Sequence, residues 1–370
     1  MNVPAVDLRP MLEESEARWR PNLERLFTTM QFVLGEQVRA FEEEFAAACG
    51  TAFAIATGSG TAAIELCLRE AAIPAGTEVI TSALTSLFTA QAIRSAGAKP
   101  RFADVKPETL LIDADDVRAR ISKSTTAVLA VHLYGQACDL TALSSLSRTV
   151  RIPLIQDACQ AHGLTVGNRH LTEWSRWVAY SFYPTKNLPC LGDGGAIVTS
   201  SARTANRLRM LRDGGRRNDQ IARLPAINSR LDEIQACYLR AFLPQSVKWQ
   251  AMRARAASLY DEALAGCEAV RPVLKGPDTV HHLYVVRAKR RNALRAHLLR
   301  HGIAAAVHYP VPLHVHRAFA DCGLKRGDLP HAEKACKEIL SLPLWPHISE
   351  QAVLQVVECV RAFYSGKTNS

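Results

Sequence analysis

The chain has 370 residues, a formal net charge of +10 and 48% apolar residues, so it is globular and too long for one small core. No apolar run is long enough to span a bilayer, and Met1 to Pro10 lacks the apolar stretch of a secretory signal. The arginines are spread along helical faces without a basic block, which speaks against nucleic acid, and ten scattered cysteines with no C-x-x-C pair read as reduced cytoplasmic thiols rather than disulfides or a zinc site.

Residues 7–47 read as mostly helical, with Phe41 and Phe45 four apart on one face. Ala52 to Ala56 is strand-like, and Thr57-Gly58-Ser59-Gly60-Thr61 leads into a helix from about Ala62 to Ala71. A strand, a Gly-Ser-Gly-Thr turn and a helix start make an anion site, because free N–H groups and the helix dipole point the same way. Strands are expected at Glu78–Thr81, Lys99–Val105, Thr126–His132 and Pro153–Asp157, with helices at Ser86–Ala96, 114–122 and 141–147. This alternation predicts βαβ units and a mainly parallel sheet, with ligands beyond the carboxyl ends of its strands.

Trp177 to Phe182 is a short apolar run stopped by Pro184, and Lys186 follows at once. Gly192-Asp193-Gly194-Gly195 and a second strand, Ala196–Thr199, come next. A lysine on a tight loop between two core strands is partly desolvated, which lowers its pKa and makes it a usable nucleophile. The plainer alternative is a surface lysine in a glycine-rich hairpin. Asp157 also lies just past an apolar strand, so both residues can share one crevice. The remainder predicts a long helix at 245–264, strands near 280–287 and 303–308, and helices near 291–301, 330–339 and 349–363. We place a domain boundary near 240, giving units of 1–240 and 241–370.

The ordered motifs resemble the DegT/DnrJ/EryC1/StrS family of sugar aminotransferases, fold-type-I enzymes that use pyridoxal 5′-phosphate. They include Ser59-Gly60-Thr61, Gly97-Ala98-Lys99-Pro100, Asp157-Ala158-Cys159-Gln160-Ala161-His162-Gly163, Ser181 through Leu188, Asn228 to Ala236, and His308-Tyr309-Pro310 with His314. The resemblance implies an α/β fold with a large cofactor-binding domain built on a mainly parallel sheet and a smaller C-terminal α/β domain. It implies that Lys186 forms the Schiff base with the cofactor and then moves the proton. Asp157 would face the pyridine nitrogen, Gln160 the ring's phenolic oxygen, and Gly60, Thr61 and Ser181 the phosphate. Asn228 matches an asparagine donated by the second subunit, which implies a homodimer with shared sites. His308, Tyr309 and His314 are carried as substrate-side or domain-packing groups.

Two departures stand out. The family's ring-stacking aromatic is replaced by Ser86, with Phe88 two residues on, so the register shifts locally, or stacking is weak or comes from elsewhere. Leu211-Arg212-Asp213-Gly214-Gly215 also lacks the family's usual histidine. His308, His314 and His316 match no zinc pattern, so no metal is expected. The expected activity is transfer of an amino group from glutamate or glutamine to a keto sugar, nucleotide-linked in the favoured reading. A ketocyclitol acceptor and a non-catalytic regulator are the alternatives. A dehydratase is disfavoured, because those relatives carry histidine where Lys186 stands.

Overall fold

The computed structural model describes residues 2–217 and 219–366; Met1 and residues 367–370, the ends of the two expected units, lie outside the described residues. Three helices come first, α1 (Arg9–Glu14), α2 (Glu16–Thr29) and α3 (Glu36–Ala48). This stretch is mostly helical, as expected, and α2 and α3 are separated where Met30 and Leu34 adopt left-handed backbone, at φ 54° and 51°. The first N–H groups of α3 have no carbonyl within the helix to bond. The Glu233 carboxylate takes that place, accepting from Gly35 N (2.6 Å), Gln37 N (2.8 Å) and Val38 N (3.1 Å).

A seven-stranded sheet follows. Its strands are β1 (Phe53–Thr57), β2 (Glu78–Ser82), β3 (Lys99–Ala103), β4 (Thr125–Val131) and β5 (Leu154–Asp157). After a short hairpin of β6 (Thr165–Val166) and β7 (Arg169–His170) come β8 (Val178–Ser181) and β9 (Gly195–Thr199). The order is β1-β9-β8-β5-β4-β2-β3, with β9 antiparallel to both neighbours and the other pairs parallel. Helices α4 (Gly60–Glu70), α5 (Leu87–Ser95), α6 (Ala114–Arg120) and α7 (Leu140–Val150) connect the strands. Alternate strand residues enter different cores. Ile55, Val79, Leu129, Ile155, Ala179 and Ile197 face one side, and Ala56, Ile80, Val128, Tyr180 and Val198 the other. Burial on both faces is why these strands read as unbroken apolar runs.

Helices α8 (Ala202–Leu211), α9 (Glu233–Phe242) and α10 (Ser246–Ala263) lead to a second sheet. It contains β10 (Val270–Pro272), β11 (Tyr284–Ala288) and β12 (Ile339–Leu342), all antiparallel, with α11 (Arg291–Arg300), α12 (Pro330–Glu338) and α13 (Glu350–Ser365). Helix α10 is shared, with Trp249 in the large core and Ala256, Ala257 and Tyr260 in the small one. The segment carrying Leu313, Phe319 and Leu329 packs back onto the large core. The strand expected at 303–308 is not formed. Ile303 bridges to Val3 and Ala306 to Ser341, so the segment pairs one residue at a time with different partners. Conversely, the apolar run after α12 is the edge strand β12, which no glycine or proline separates from the helix.

Candidate active site

The register of the large sheet brings one rim together: Val131 pairs with Asp157, Asp157 with Ala179, and Ser181 with Gly195. Gly195 in turn pairs with Thr57, so the turn into α4 sits on the same rim. The approach is close. A Cβ on Gly60 would lie 2.6 Å from Ser181 Cβ and 2.9 Å from Cys159 Sγ, and one on Gly195 only 2.5 Å from the Ser59 carbonyl. Only glycine fits at either place. Ser59 caps α4, its hydroxyl accepting from Ala62 N at 3.1 Å. That leaves the N–H groups of Gly60 and Thr61, the first two of the helix, without intrahelical acceptors. Arg212, two residues before the place where the family's histidine was expected, is buried. It pairs with buried Glu42 and donates to the Ala56 carbonyl at 2.7 Å, fixing the end of β1 before this turn.

Asp157 is 3% exposed. Its oxygens accept from Thr89 Oγ1 (2.8 Å) and Cys159 N (3.1 Å), and no lysine or arginine pairs with it among the described residues. Lys186 stands on the turn closed by its own N–H to the Tyr183 carbonyl (2.8 Å). Burial holds its ammonium below the ordinary lysine value, while Cys159 and Asp157 act the other way. Three histidines near it are kept neutral. His162 is pushed down to about 3 by burial, by the Lys186 charge and by Arg253. His308 is pushed down to about 4 by burial and then by Lys186. His282 is held well below its ordinary value, again by burial first. His282 Nδ1 lies 3.0 Å from Asn187 Oδ1, and Asn187 donates to the Val280 carbonyl at 2.9 Å, which anchors the chain beside Lys186.

Gln160 accepts from Tyr134 N (2.7 Å) and donates from Nε2 to the Tyr309 hydroxyl (3.2 Å). Ser86 also faces that hydroxyl, whose pKa burial pushes up to about 12. Tyr134 donates to the His308 carbonyl at 2.5 Å, tying the rim to the His308-Tyr309 segment. Ser86 itself caps α5, accepting from Phe88 N at 3.3 Å. Phe88 is 58% exposed and does not turn inward to replace the missing ring. Tyr309 is the aromatic that reaches this position.

Strand register, close approaches and hydrogen bonds thus bring Asp157, Gln160, Ser181, Gly60, Thr61, Ser86, Tyr309 and His308 to one end of the sheet, with Lys186 on the turn beyond β8. His314 does not join them through any described bond. It is buried, with Nε2 3.1 Å from Glu333 Oε1, a packing role rather than a substrate-side one. Asn228 is exposed and lines an open cleft of about 420 Å³ with Gly58, Ser59 and Val33. Thr89, which orients Asp157, escaped the sequence reading. Its only signal is its place three residues after Ser86, on the inner face of a helix start.

The profile of the DegT/DnrJ/EryC1/StrS aminotransferase family matches residues 14–361. The chain belongs to this family. It is 39% identical over 361 residues to dTDP-3-amino-3,4,6-trideoxy-alpha-D-glucose transaminase of Streptomyces venezuelae, covering 97% of this chain and 95% of that one. It is 38% identical to a pleiotropic regulatory protein of Geobacillus stearothermophilus, covering 98% and 99%. The crystal structure of S. venezuelae DesV in complex with a ketimine intermediate matches it with a TM-score of 0.94, at 38% identity and 98% of each chain.

The protein is accordingly a pyridoxal-phosphate-dependent aminotransferase, and its own residues suit that cofactor. The glycine at the start of α4 lets Ser181 close on the turn that carries two N–H groups without intrahelical acceptors, which suits a phosphate. Asp157 is a buried carboxylate without a cation, which suits a protonated ring nitrogen. A desolvated amine stands close by.

Proposed function

We propose that this aminotransferase moves an amino group from glutamate or glutamine to the keto group of a nucleotide-linked sugar, working as a homodimer in the cytoplasm. The observation that carries the chemistry is that desolvated Lys186 and buried Asp157, which form no ion pair with each other, stand at one end of the sheet. The acceptor class rests on the Streptomyces relative, whose name specifies a dTDP-linked amino sugar.

When bound, pyridoxal phosphate supplies the electron sink that lets a C–H bond beside nitrogen ionise. Gly60 and Thr61 N–H groups with the Ser181 hydroxyl would hold its phosphate, and Gln160 its phenolic oxygen. Asp157, fixed by Thr89, would keep a proton on the ring nitrogen. Lys186 would attach the cofactor, yield it to the incoming donor, and then carry a proton between the substrate carbon and the cofactor. Burial lowers the pKa of that amine and so raises its neutral share, the form that both attachment and proton removal need.

The dimer reading is supported by the surface around Asn228. Val33 lines its cleft, and Phe27, Met30, Phe32 and Val33 are all exposed, an apolar patch of the kind that marks an interface. In that arrangement Asn228 reaches the phosphate site of the other subunit. All ten cysteines are unpaired, in keeping with a reducing compartment, and no described helix is long and apolar enough to cross a membrane.

The test is spectroscopic and chemical. Glutamate or glutamine alone should bleach the long-wavelength absorbance of the bound cofactor, and a dTDP- or UDP-linked keto sugar should restore it and yield an amino sugar by mass spectrometry. A cofactor-loaded protein that ignores every donor would favour a regulator instead, as the name of the Geobacillus relative suggests.

A further inference from the structure

The outer helices of the small sheet carry a second cluster with no part in this chemistry. His297 lies in the last turn of α11 and His301 caps its end, so the two, four residues apart, share one face. Cys359 comes from α13. One ligand atom from each of the three lies within 4.8 Å of the others, and this is the one such group of histidine, cysteine and carboxylate side chains among the described residues. The two rings are 4.3 Å apart between centroids and tilted by 40°.

Two further observations point to a ligand. His301 Nδ1 is 2.9 Å from the His297 carbonyl, so Nδ1–H donates there and Nε2 is left with its lone pair free. A ring N–H donated to a backbone carbonyl is the support that metal-ligating histidines ordinarily have. His297 Nε2 is sealed from solvent and has no hydrogen-bond partner, a cost that a bond to a metal would remove.

The chemistry selects the ion. The carbonyl end of α11 favours a cation, but Arg300 stands next to His297 and opposes one. Charge attraction alone is therefore weak, which disfavours magnesium and calcium. Two imidazoles and a thiolate instead bind ions of the zinc and cobalt type through strong nitrogen and sulfur bonds. We propose that His297, His301 and Cys359 form a surface site for such a divalent transition-metal ion, with water in a fourth position on the exposed His301 side. On binding, the Cys359 thiol releases its proton to solvent and its sulfur bonds the metal. The ion cross-links α11 to α13.

Cobalt(II) added to the reduced, cofactor-loaded protein gives the test, because its visible bands in four-coordinate sites lie to the red of the cofactor's absorption. One equivalent per chain should produce those bands, and zinc should displace it. Both His301→Ala and Cys359→Ser should abolish the signal, and zinc should raise the thermal midpoint of the parent but not of either variant. His301 is exposed, so its replacement tests the ligand without threatening the fold. Absence of four-coordinate cobalt bands, or equal binding by parent and both variants, overturns the proposal.

Discussion

His162 offers a direct measure of how strongly this fold enforces neutrality around Lys186. It is 6% exposed, neither ring nitrogen has a hydrogen-bond partner, and its ring lies 5.3 Å from that of Tyr180 and 5.7 Å from that of Phe182. Burial, then the Lys186 and Arg253 charges, bring its pKa from 6.5 down to about 3. The folded protein therefore refuses a proton that the unfolded chain takes up once the pH falls through 6.5. Stability contributed by neutral His162 is complete above that value and is lost progressively as the pH falls toward 3. At 1.36 kcal/mol per pH unit, the loss at pH 5 is about 2 kcal/mol. His162→Phe keeps an aromatic ring in the same contacts and cannot take a proton. Relative to the parent, it should be about 2 kcal/mol more favourable at pH 5 than at pH 7.5. Urea unfolding at both pH values, with protomer and cofactor concentrations fixed, reads this difference. Other buried histidines contribute equally to both proteins and cancel. If the stability difference is the same at the two pH values, His162 is not held neutral and the reasoning fails.

The crevice yields two further predictions. Gly60→Ala forces a methyl against Ser181 and Cys159, so it should cost about 1–3 kcal/mol of stability and weaken cofactor retention at least tenfold on gel filtration. Full retention would mean that the start of α4 does not hold the phosphate. Tyr309→Phe keeps the ring beside Ser86 but removes the hydroxyl that Gln160 meets at 3.2 Å. One neutral hydrogen bond is worth about 1 kcal/mol, so cofactor or substrate binding should weaken about fivefold, and an unchanged value of both would exclude Tyr309 from the site.

The large sheet was legible because its strands are buried on both faces. Burial turns them into short apolar runs, and the residues to which we assign the chemistry, Asp157 and Lys186, stand where those runs stop. Legibility failed where segments are defined by distant partners. The 303–308 stretch is apolar enough for a strand, yet Val3 and Ser341 each claim only one of its residues. β12 hides behind α12 because no punctuating residue divides them. The cluster of His297, His301 and Cys359 joins helices far apart in the chain, and no local spacing announces it. Ser86 was recognised as a departure, but only the fold shows Phe88 turned outward and Tyr309 brought in from the C-terminal segment.

The relation between Asp157 and Lys186 follows from these competing demands. A carboxylate beside a lysine normally forms an ion pair, which would hold the amine protonated and inert as a nucleophile. Here Thr89 and the Cys159 N–H occupy the two carboxylate oxygens, and Asp157 is fixed at its strand end by groups that carry no charge. Lys186 feels the carboxylate only as an opposing influence that burial outweighs. The absence of an ion pair leaves the Asp157 carboxylate without a cation of its own and the Lys186 amine on its turn without an anchoring bond to it. Thr89, through its bond to Asp157, is thus one of the two neutral groups that hold the carboxylate in place of a cation.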